Sequence, residues 1–189
     1  DVWYAHGIHF NDEEITILGQ TQTGVAHCPI SNMKLSSGIA KIPQMLAQKV
    51  PVGLAIDGCG SNDASNMLTE IRIAYLLHRL NSSNQAPTGY EILKLATSGS
   101  ARLLGRDDIG SIALGKAADL FMIDVNKLEL VGALLDPASF LGTIGYCHPV
   151  DITIANGNII CRNGRLTGID EDKIRAEADK EVAKVYSQI

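Results

Sequence analysis

The sequence predicts an α/β protein in which βα units are followed by an antiparallel, β-rich segment and a terminal helix. Three observations lead to this prediction. Apolar runs that end at a polar residue alternate with amphipathic stretches, two Asn-Gly pairs separate strand-like runs, and the last residues carry apolar side chains at helical spacing. The chain has 189 residues, 46% hydrophobic and 20% charged, so it can bury a sizeable core.

The first part of the chain alternates strands and helices. Three apolar runs are typical of buried parallel strands: residues 2–6, 24–28 and 52–56. Between them, Asn11 is a candidate helix cap, and a Gly/Ser-rich loop over residues 29–38 leads to a second helix near residues 43–48. These elements are consecutive βα units of a parallel sheet or barrel.

Helices are predicted to dominate from there to residue 104. After a loop of small polar residues, apolar side chains at helical spacing indicate a helix over about residues 67–80. Another helix is expected over residues 90–97, and residues 101–104 close this helical part. We therefore predict one domain over residues 1–104.

The periodicity changes after residue 105. A compact strand is expected at residues 120–123, and residues 152–166 contain the pairs Asn156-Gly157 and Asn163-Gly164. Asn-Gly between strand-like runs predicts a hairpin, because a type I′ turn needs positive φ at both central residues. Residues 170–189 are charged with an apolar stripe and predict a surface helix. The second predicted domain covers residues 105–189.

Charge and cysteine usage restrict the class of protein. The net charge is −5, the pI is near 5.5 and no long Lys/Arg run occurs, so neither nucleic acid nor a membrane is an expected partner. The four cysteines are widely spaced and are expected to be reduced. With no apolar stretch of about 18 residues, the predicted location is cytoplasmic. The chain starts inside a predicted strand without Met, so we expect a piece of a longer protein.

Four polar residues at or near the predicted strand ends are the candidates for function: His6, His9, His27 and Asp57. Asp57 is either a brace for its loop or an active-site carboxylate, because a carboxylate at a buried strand end needs a cation, a metal or backbone donors. His6 is either a hydrogen-bonded core residue or a catalytic one. His9 is a supporting or structural residue. His27 ends the middle strand, so in a barrel it would face the same rim as His6 and Asp57.

Imidazoles and a carboxylate converging from neighbouring strands are what a hydrolytic zinc site uses, with one position left open for water. The candidates fit part of such a metal shell.

Four stretches of the sequence then carry a family resemblance: AHGIHF from residue 5, AHCPISNMKL from residue 26, GLAIDGCGSNDASN from residue 53 and IGSIALGKAADL from residue 109. Together they resemble the C-terminal half of an amidohydrolase-superfamily deaminase. The chlorohydrolase and guanine-deaminase branch is the most similar, and within it the 8-oxoguanine deaminases.

The resemblance covers essentially the whole chain and implies a distorted (β/α)8, TIM-like barrel with a β-sandwich built from both chain ends. In that frame the chain holds barrel strands six, seven and eight, followed by part of the sandwich and the terminal helix. Asp57 corresponds to the aspartate of strand eight, which binds the metal and takes a proton from the bound water. His6 corresponds to the histidine of strand six, which orients the water in mononuclear members and binds a second metal in binuclear ones. We favour the first role.

The resemblance also implies a reaction and its partners. One divalent metal, zinc first and iron as the alternative, activates water, and the metal-bound hydroxide attacks the amino-bearing ring carbon of a purine-type base, with 8-oxoguanine as the best candidate. The implied enzyme is an aminohydrolase acting on the C–N bonds of cyclic amidines. His9 and His27 are possible supporting or substrate-contacting residues. A small heterocyclic base, the N-terminal half of the parent protein and further copies of the parent are the expected partners.

Two alternatives stay open. The parent protein is either such a deaminase or a chlorohydrolase-type enzyme acting on s-triazines with the same activated water. As the other alternative, the chain is a non-catalytic fragment. The family's other metal ligands, a His-x-His pair and a further histidine, and its proton-shuttling glutamate have no counterpart here. We therefore expect the isolated chain to be inactive.

Overall fold

The structure, a computed structural model, describes residues 2–188 and falls into two compact units. One unit comprises the chain up to residue 116 together with residues 125–147. The other comprises residues 117–124 and the chain from residue 148 onward. Residues 1 and 189, at the ends of the two predicted domains, lie outside the described residues. The predicted domain boundary at residue 104 stays a prediction.

A three-stranded parallel sheet forms the centre of the first unit. Its strands are Trp3–Ala5 (β1), Gly24–His27 (β2) and Val52–Leu54 (β3), in the order β1-β2-β3. The strands lie where the apolar runs predicted them, and their parallel pairing confirms the βα units. Because parallel strands point the same way, the segments that follow them leave the sheet at one edge.

The first strand differs from the prediction in its burial. β2 and β3 are buried, but Trp3 and Tyr4 of β1 are 45% and 49% exposed. The prediction of a buried strand at residues 2–6 is therefore wrong for this chain. Within residues 2–188, β1 pairs with β2 alone, so one of its edges has no neighbouring strand to cover its side chains.

Helices connect and cover the strands of this unit. They are α1 (Asp12–Thr21), α2 (Pro29–Lys34), α3 (Ile42–Ala47), α4 (Met67–Ser82), α5 (Gly89–Lys94), α6 (Ser100–Leu103) and α7 (Phe140–Thr143). A π-helical turn joins α5 to α6, and short 3₁₀ helices cover Ser83–Gln85, Leu128–Leu130 and Ala133–Leu135. The fully buried side chains of Ile15, Ile42, Met45, Ile71 and Ile92 come from these helices and form the core with Val25 of β2.

The boundaries of the helices follow local chemistry. Asn11 caps α1 as predicted and forms a capping box with Glu14, in which each side chain binds the other residue's backbone N–H. The predicted loop at residues 29–38 is wrong in its first part, because α2 begins there. Pro29 occupies the first turn of α2, where its fixed φ suits a helix and its missing N–H is not needed.

The second unit contains an antiparallel sheet of four strands. They are Leu120–Met122 (β4), Ile152–Ala155 (β5), Asn158–Arg162 (β6) and Arg165–Leu166 (β7), hydrogen-bonded in that order. Both predicted Asn-Gly turns are present. φ is +46° and +78° at Asn156 and Gly157, and +52° and +73° at Asn163 and Gly164. These left-handed pairs reverse the chain between β5, β6 and β7.

The chain ends in the helix α8 (Glu171–Tyr186), capped by the Asp170 side chain on the backbone N–H of Lys173. α8 is exposed along nearly its whole length, which confirms the predicted surface helix. None of the helices within residues 2–188 has both the length and the apolar character needed to cross a membrane.

Candidate functional site

His6 and Asp57 follow the C-terminal ends of β1 and β3, at the same edge of the parallel sheet. Both have a left-handed backbone, with φ of +66° and +71°. Residues other than glycine seldom adopt this conformation, and when they do it often serves a functional site. The backbone N–H of His6 donates to the carbonyl of Ala26 at 2.8 Å, which ties the turn after β1 to β2. The structure therefore brings together the two residues predicted to be catalytic.

The imidazole of His6 is held by Asn32 of α2. Nδ1 of His6 lies 2.9 Å from Oδ1 of Asn32, whose side chain is buried. With the amide in this orientation, its oxygen can only accept, so Nδ1 donates to it. When Nδ1 carries the ring's single hydrogen, Nε2 presents a lone pair. Nε2 lies 3.9 Å from Oδ2 of Asp57.

The carboxylate of Asp57 accepts three hydrogen bonds. Oδ2 accepts from the hydroxyls of Ser31 at 2.5 Å and Ser61 at 2.8 Å, and Oδ1 accepts from the backbone N–H of Gly58 at 2.8 Å. These bonds, that of Ser31 above all, lower the pKa of Asp57 to about 2. Asp57 is therefore ionised at neutral pH, and its side chain is still 31% exposed. It can bind a cation or accept a proton without first losing its own.

In the tautomer that carries its hydrogen on Nδ1, Nε2 of His6 is an acceptor, as is Oδ2 of Asp57. Their separation of 3.9 Å is longer than a hydrogen bond. A water molecule, which has two protons to donate, or a metal ion would satisfy both groups. The arrangement can thus orient a water through the imidazole and take a proton from it through the carboxylate.

Among the described residues, neither of the other two predicted histidines is hydrogen-bonded to this pair. His9 is exposed. His27 has no exposed surface, and its Nε2 lies 3.1 Å from Nε2 of His78 on α4. Burial lowers the pKa of His27 to about 3 and that of His78 to about 4, so both rings are neutral at physiological pH. Their predicted supporting or substrate-contacting roles stay predictions.

Comparison with known proteins places the chain in a family. Residues 1–160 match the amidohydrolase family. The chain belongs to the amidohydrolase family. The resemblance that the sequence predicts is therefore confirmed.

Individual amidohydrolases resemble the chain along nearly all of its length. It is 51% identical over 168 residues to an 8-oxoguanine deaminase of Pseudomonas aeruginosa, covering 89% of this chain and 37% of that protein. It is 43% identical over 182 residues to a hydroxydechloroatrazine ethylaminohydrolase of Pseudomonas sp. strain ADP, covering 95% and 38%. The crystal structure of an atrazine chlorohydrolase of Arthrobacter aurescens TC1 complexed with zinc superposes with a TM-score of 0.86 at 31% identity, covering 95% and 40%. The chain thus spans less than half the length of these relatives.

Among the described residues of this amidohydrolase chain, Asp57 is the one best suited to bind a metal ion. An ionised carboxylate at the sheet edge suits a divalent cation, and Nε2 of His6 lies nearby. Within residues 2–188, however, no group of three or more His, Cys, Asp or Glu side chains is placed to hold a metal ion. Catalytic zinc sites use about three protein ligands. The described residues therefore fit one ligand of such a site.

Sequence reasoning missed the residues that hold His6 and Asp57 in place. Ser31 and Asn32 lie in α2, each 26 residues from the partner it binds, and Ser61 lies in the loop after β3. One signal was present: each is a small polar residue within five positions of a predicted strand end. Such residues are well placed to bind groups at the carboxyl edge of a parallel sheet.

Proposed function

We propose that the full-length amidohydrolase containing this chain removes ammonia from an amino-substituted heterocyclic base by hydrolysis, and that 8-oxoguanine is its substrate. The observation that carries the proposal is the pairing of His6 and Asp57, which face each other across 3.9 Å at the edge of the parallel sheet. The choice of substrate is supported by the 51% identity to an 8-oxoguanine deaminase.

In this proposal Asp57 accepts the proton of the attacking water. Its low pKa keeps it ionised across the physiological range, but also makes it a weak base. A weak base suffices if the water is acidified. Zinc, held by Asp57 and by ligands outside the described residues, would supply that Lewis acidity.

His6 orients the same water. Because Asn32 binds Nδ1, the Nε2 lone pair is available to accept a hydrogen bond from the water. The water is then held between one group that fixes its direction and one that removes its proton. Asp57 can return the proton to the leaving nitrogen, which departs as ammonia.

We further infer the architecture of the parent protein. In this proposal β1, β2 and β3 are strands six to eight of a (β/α)8 barrel, and β4 to β7 contribute to a β-sandwich. The exposed edge of β1 supports the first part, because a preceding barrel strand would pair with it.

A second candidate substrate class is the s-triazines. It is favoured by the 43% identity to a hydroxydechloroatrazine ethylaminohydrolase and by the fold similarity to a zinc-containing atrazine chlorohydrolase. The same water and the same proton acceptor serve either leaving group.

The test is a substrate panel given to the zinc-loaded full-length protein: 8-oxoguanine, hydroxydechloroatrazine and atrazine, with ammonia, ethylamine and chloride measured as products. We expect ammonia from 8-oxoguanine at the highest kcat/KM. Faster release of ethylamine or chloride would assign the protein to the triazines instead. No release from any of the three would contradict both assignments.

A further inference from the structure

Glu70 is a buried carboxylate on α4 outside the pair described above. Its side chain has no exposed surface, and it shares the inner face of α4 with Ile71, Ala74 and Leu77, which are also buried. A carboxylate is costly to bury unless its oxygens are bound. Its partners therefore indicate what it does.

Both oxygens of Glu70 accept hydrogen bonds from segments that follow strands. Oε2 accepts from the backbone N–H of Ile30 at 3.3 Å, 40 residues away along the chain. Oε1 accepts from the side-chain amide of Asn62, which is 1% exposed. The same amide nitrogen also donates to the carbonyl of Ile56 at 3.0 Å. Glu70 is thus bound to the first turn of α2 and to the loop after β3.

These two segments carry the groups that surround Asp57. Ile30 directly precedes Ser31 and Asn32, whose side chains bind Asp57 and His6. Asn62 directly follows Ser61, which also binds Asp57. Each residue that binds Glu70 is therefore adjacent in the sequence to a serine that binds Asp57.

We propose that Glu70 is a positioning residue, which holds the turn bearing Ser31 and Asn32 at a fixed distance from the loop bearing Asp57. This inference rests on the proposed function, because the geometry it maintains is that of the water-handling pair. Glu70 itself touches neither His6 nor Asp57 through a hydrogen bond in the described residues.

The chemistry of the two contacts requires a carboxylate. Two N–H donors face the two oxygens of Glu70, and the ionised carboxylate that prevails above about pH 7 accepts at both oxygens. In Glu70→Gln, the amide NH₂ must face one of these donors, although the side chain keeps its size. Glu70→Asp keeps both acceptors on a side chain shorter by one methylene. Glu91 provides the control, since it is a capping-box carboxylate at the start of α5 whose side chain accepts from Thr88.

The experiment measures ammonia release from 8-oxoguanine and amide hydrogen exchange in the full-length protein with Glu70→Gln, Glu70→Asp or Glu91→Gln. We expect Glu70→Gln to lower kcat by about 10- to 100-fold, the range found for groups that orient metal-site residues, with KM nearly unchanged. The amides of residues 30–32 and 57–62 should exchange faster, while those of the β2 core should not. Glu70→Asp should recover part of kcat, and Glu91→Gln should behave as the wild type.

Each outcome decides the inference. Wild-type kcat and exchange in Glu70→Gln would overturn it and leave the proposed function standing. Faster exchange throughout α4 and the sheet, or failure of both Glu70 variants to fold, would overturn it in favour of a purely structural role. If the wild type releases no ammonia, the proposed function fails. Faster exchange confined to the two segments would then still support the positioning of these loops by Glu70.

Discussion

Nε2 of His6 lies 3.9 Å from Oδ2 of Asp57, and both residues have a left-handed backbone conformation, His6 directly after β1 and Asp57 three residues after the end of β3. The separation is too long for a direct hydrogen bond and short enough for one water molecule to contact both groups. Asn32 and the two serines that bind Asp57 orient the pair from outside. Residues of the chain itself thus set the local geometry of the candidate site, although residues 2–188 provide only part of the metal ligands of a complete site.

The role of His6 separates two family mechanisms. We expect His6→Asn in the full-length protein to abolish ammonia release from 8-oxoguanine while bound zinc is retained, because His6 orients water in our proposal. Activity assays and metal analysis on the same samples check this. Loss of zinc together with activity would place His6 among the metal ligands instead.

Asn32 is expected to act through His6. Asn32→Leu removes the oxygen that binds Nδ1, so the ring loses its fixed tautomer and direction. We expect kcat to fall by about 10- to 100-fold, as for other groups that orient the residues of metal sites. Asn81→Leu, an exposed asparagine near the end of α4, is the control. Equal kcat in the two variants would show that the His6 contact is dispensable.

The buried pair of His27 and His78 predicts a loss of stability in acid. Both rings are neutral when folded, with pKa values of about 3 and 4, whereas unfolded histidine has a pKa near 6.5. Between pH 6.5 and about 4 the unfolded chain therefore binds more protons at these residues, and stability falls as the pH falls. Each ring contributes about 1.4 kcal/mol per pH unit in this window.

Glu70 changes the stability in the opposite direction as the pH falls. Burial raises its pKa from 4.5 to about 7, so between these values the folded state binds the extra proton and stability rises as the pH falls. Between pH 6.5 and 4.5 the two histidines and Glu70 together leave the unfolded wild-type chain with about one more bound proton than the folded chain. The free energy of unfolding should therefore fall by about 1.4 kcal/mol for each unit by which the pH falls. In Glu70→Gln only the two histidines contribute, so this slope should approach twice the wild-type value. Urea unfolding at several pH values measures both slopes, and a slope unchanged by the substitution would contradict the assignment.

The turn at Asn156-Gly157 predicts a stability effect in the second unit. Gly157 has φ of +78°, and a Cβ there would meet no atom within 4 Å, so any loss comes from the backbone conformation. Gly157→Val should cost about 1–2 kcal/mol, the usual penalty for a left-handed residue with a Cβ. Gly157→Asn should cost less, because asparagine tolerates this region. Equal unfolding free energies for the two variants would argue against the type I′ turn.

Local signals predicted the fold where each is decided by a few neighbouring residues. The Asn11 cap, the Asn-Gly turns and the positions of the three parallel strands are of this kind. The helix at Pro29 was missed because the segment is short and is followed by Ser36, Ser37 and Gly38, which are typical of a loop. The exposure of β1 could not be predicted, because an apolar run does not show how many strands will flank it.

The site was predicted only as far as its two central residues. Ser31 binds Asp57 from 26 residues away and Glu70 binds Ile30 from 40 residues away, and no local pattern encodes such distances. Glu70 and His78 did leave a signal, since both polar residues fall on the apolar stripe of α4. A polar residue on such a stripe indicates a buried partner, but not which one.

The central claim is that Asp57 is the carboxylate that both binds the metal and takes the proton of water. Turnover of 8-oxoguanine and zinc per chain, measured together in full-length Asp57→Asn and Asp63→Asn, test it most directly. Asp63 is the matched control, because it lies in the same loop and pairs with Lys34 at the surface. We predict that Asp57→Asn abolishes turnover and weakens zinc retention while Asp63→Asn keeps both. Wild-type turnover and zinc content in Asp57→Asn would contradict the claim.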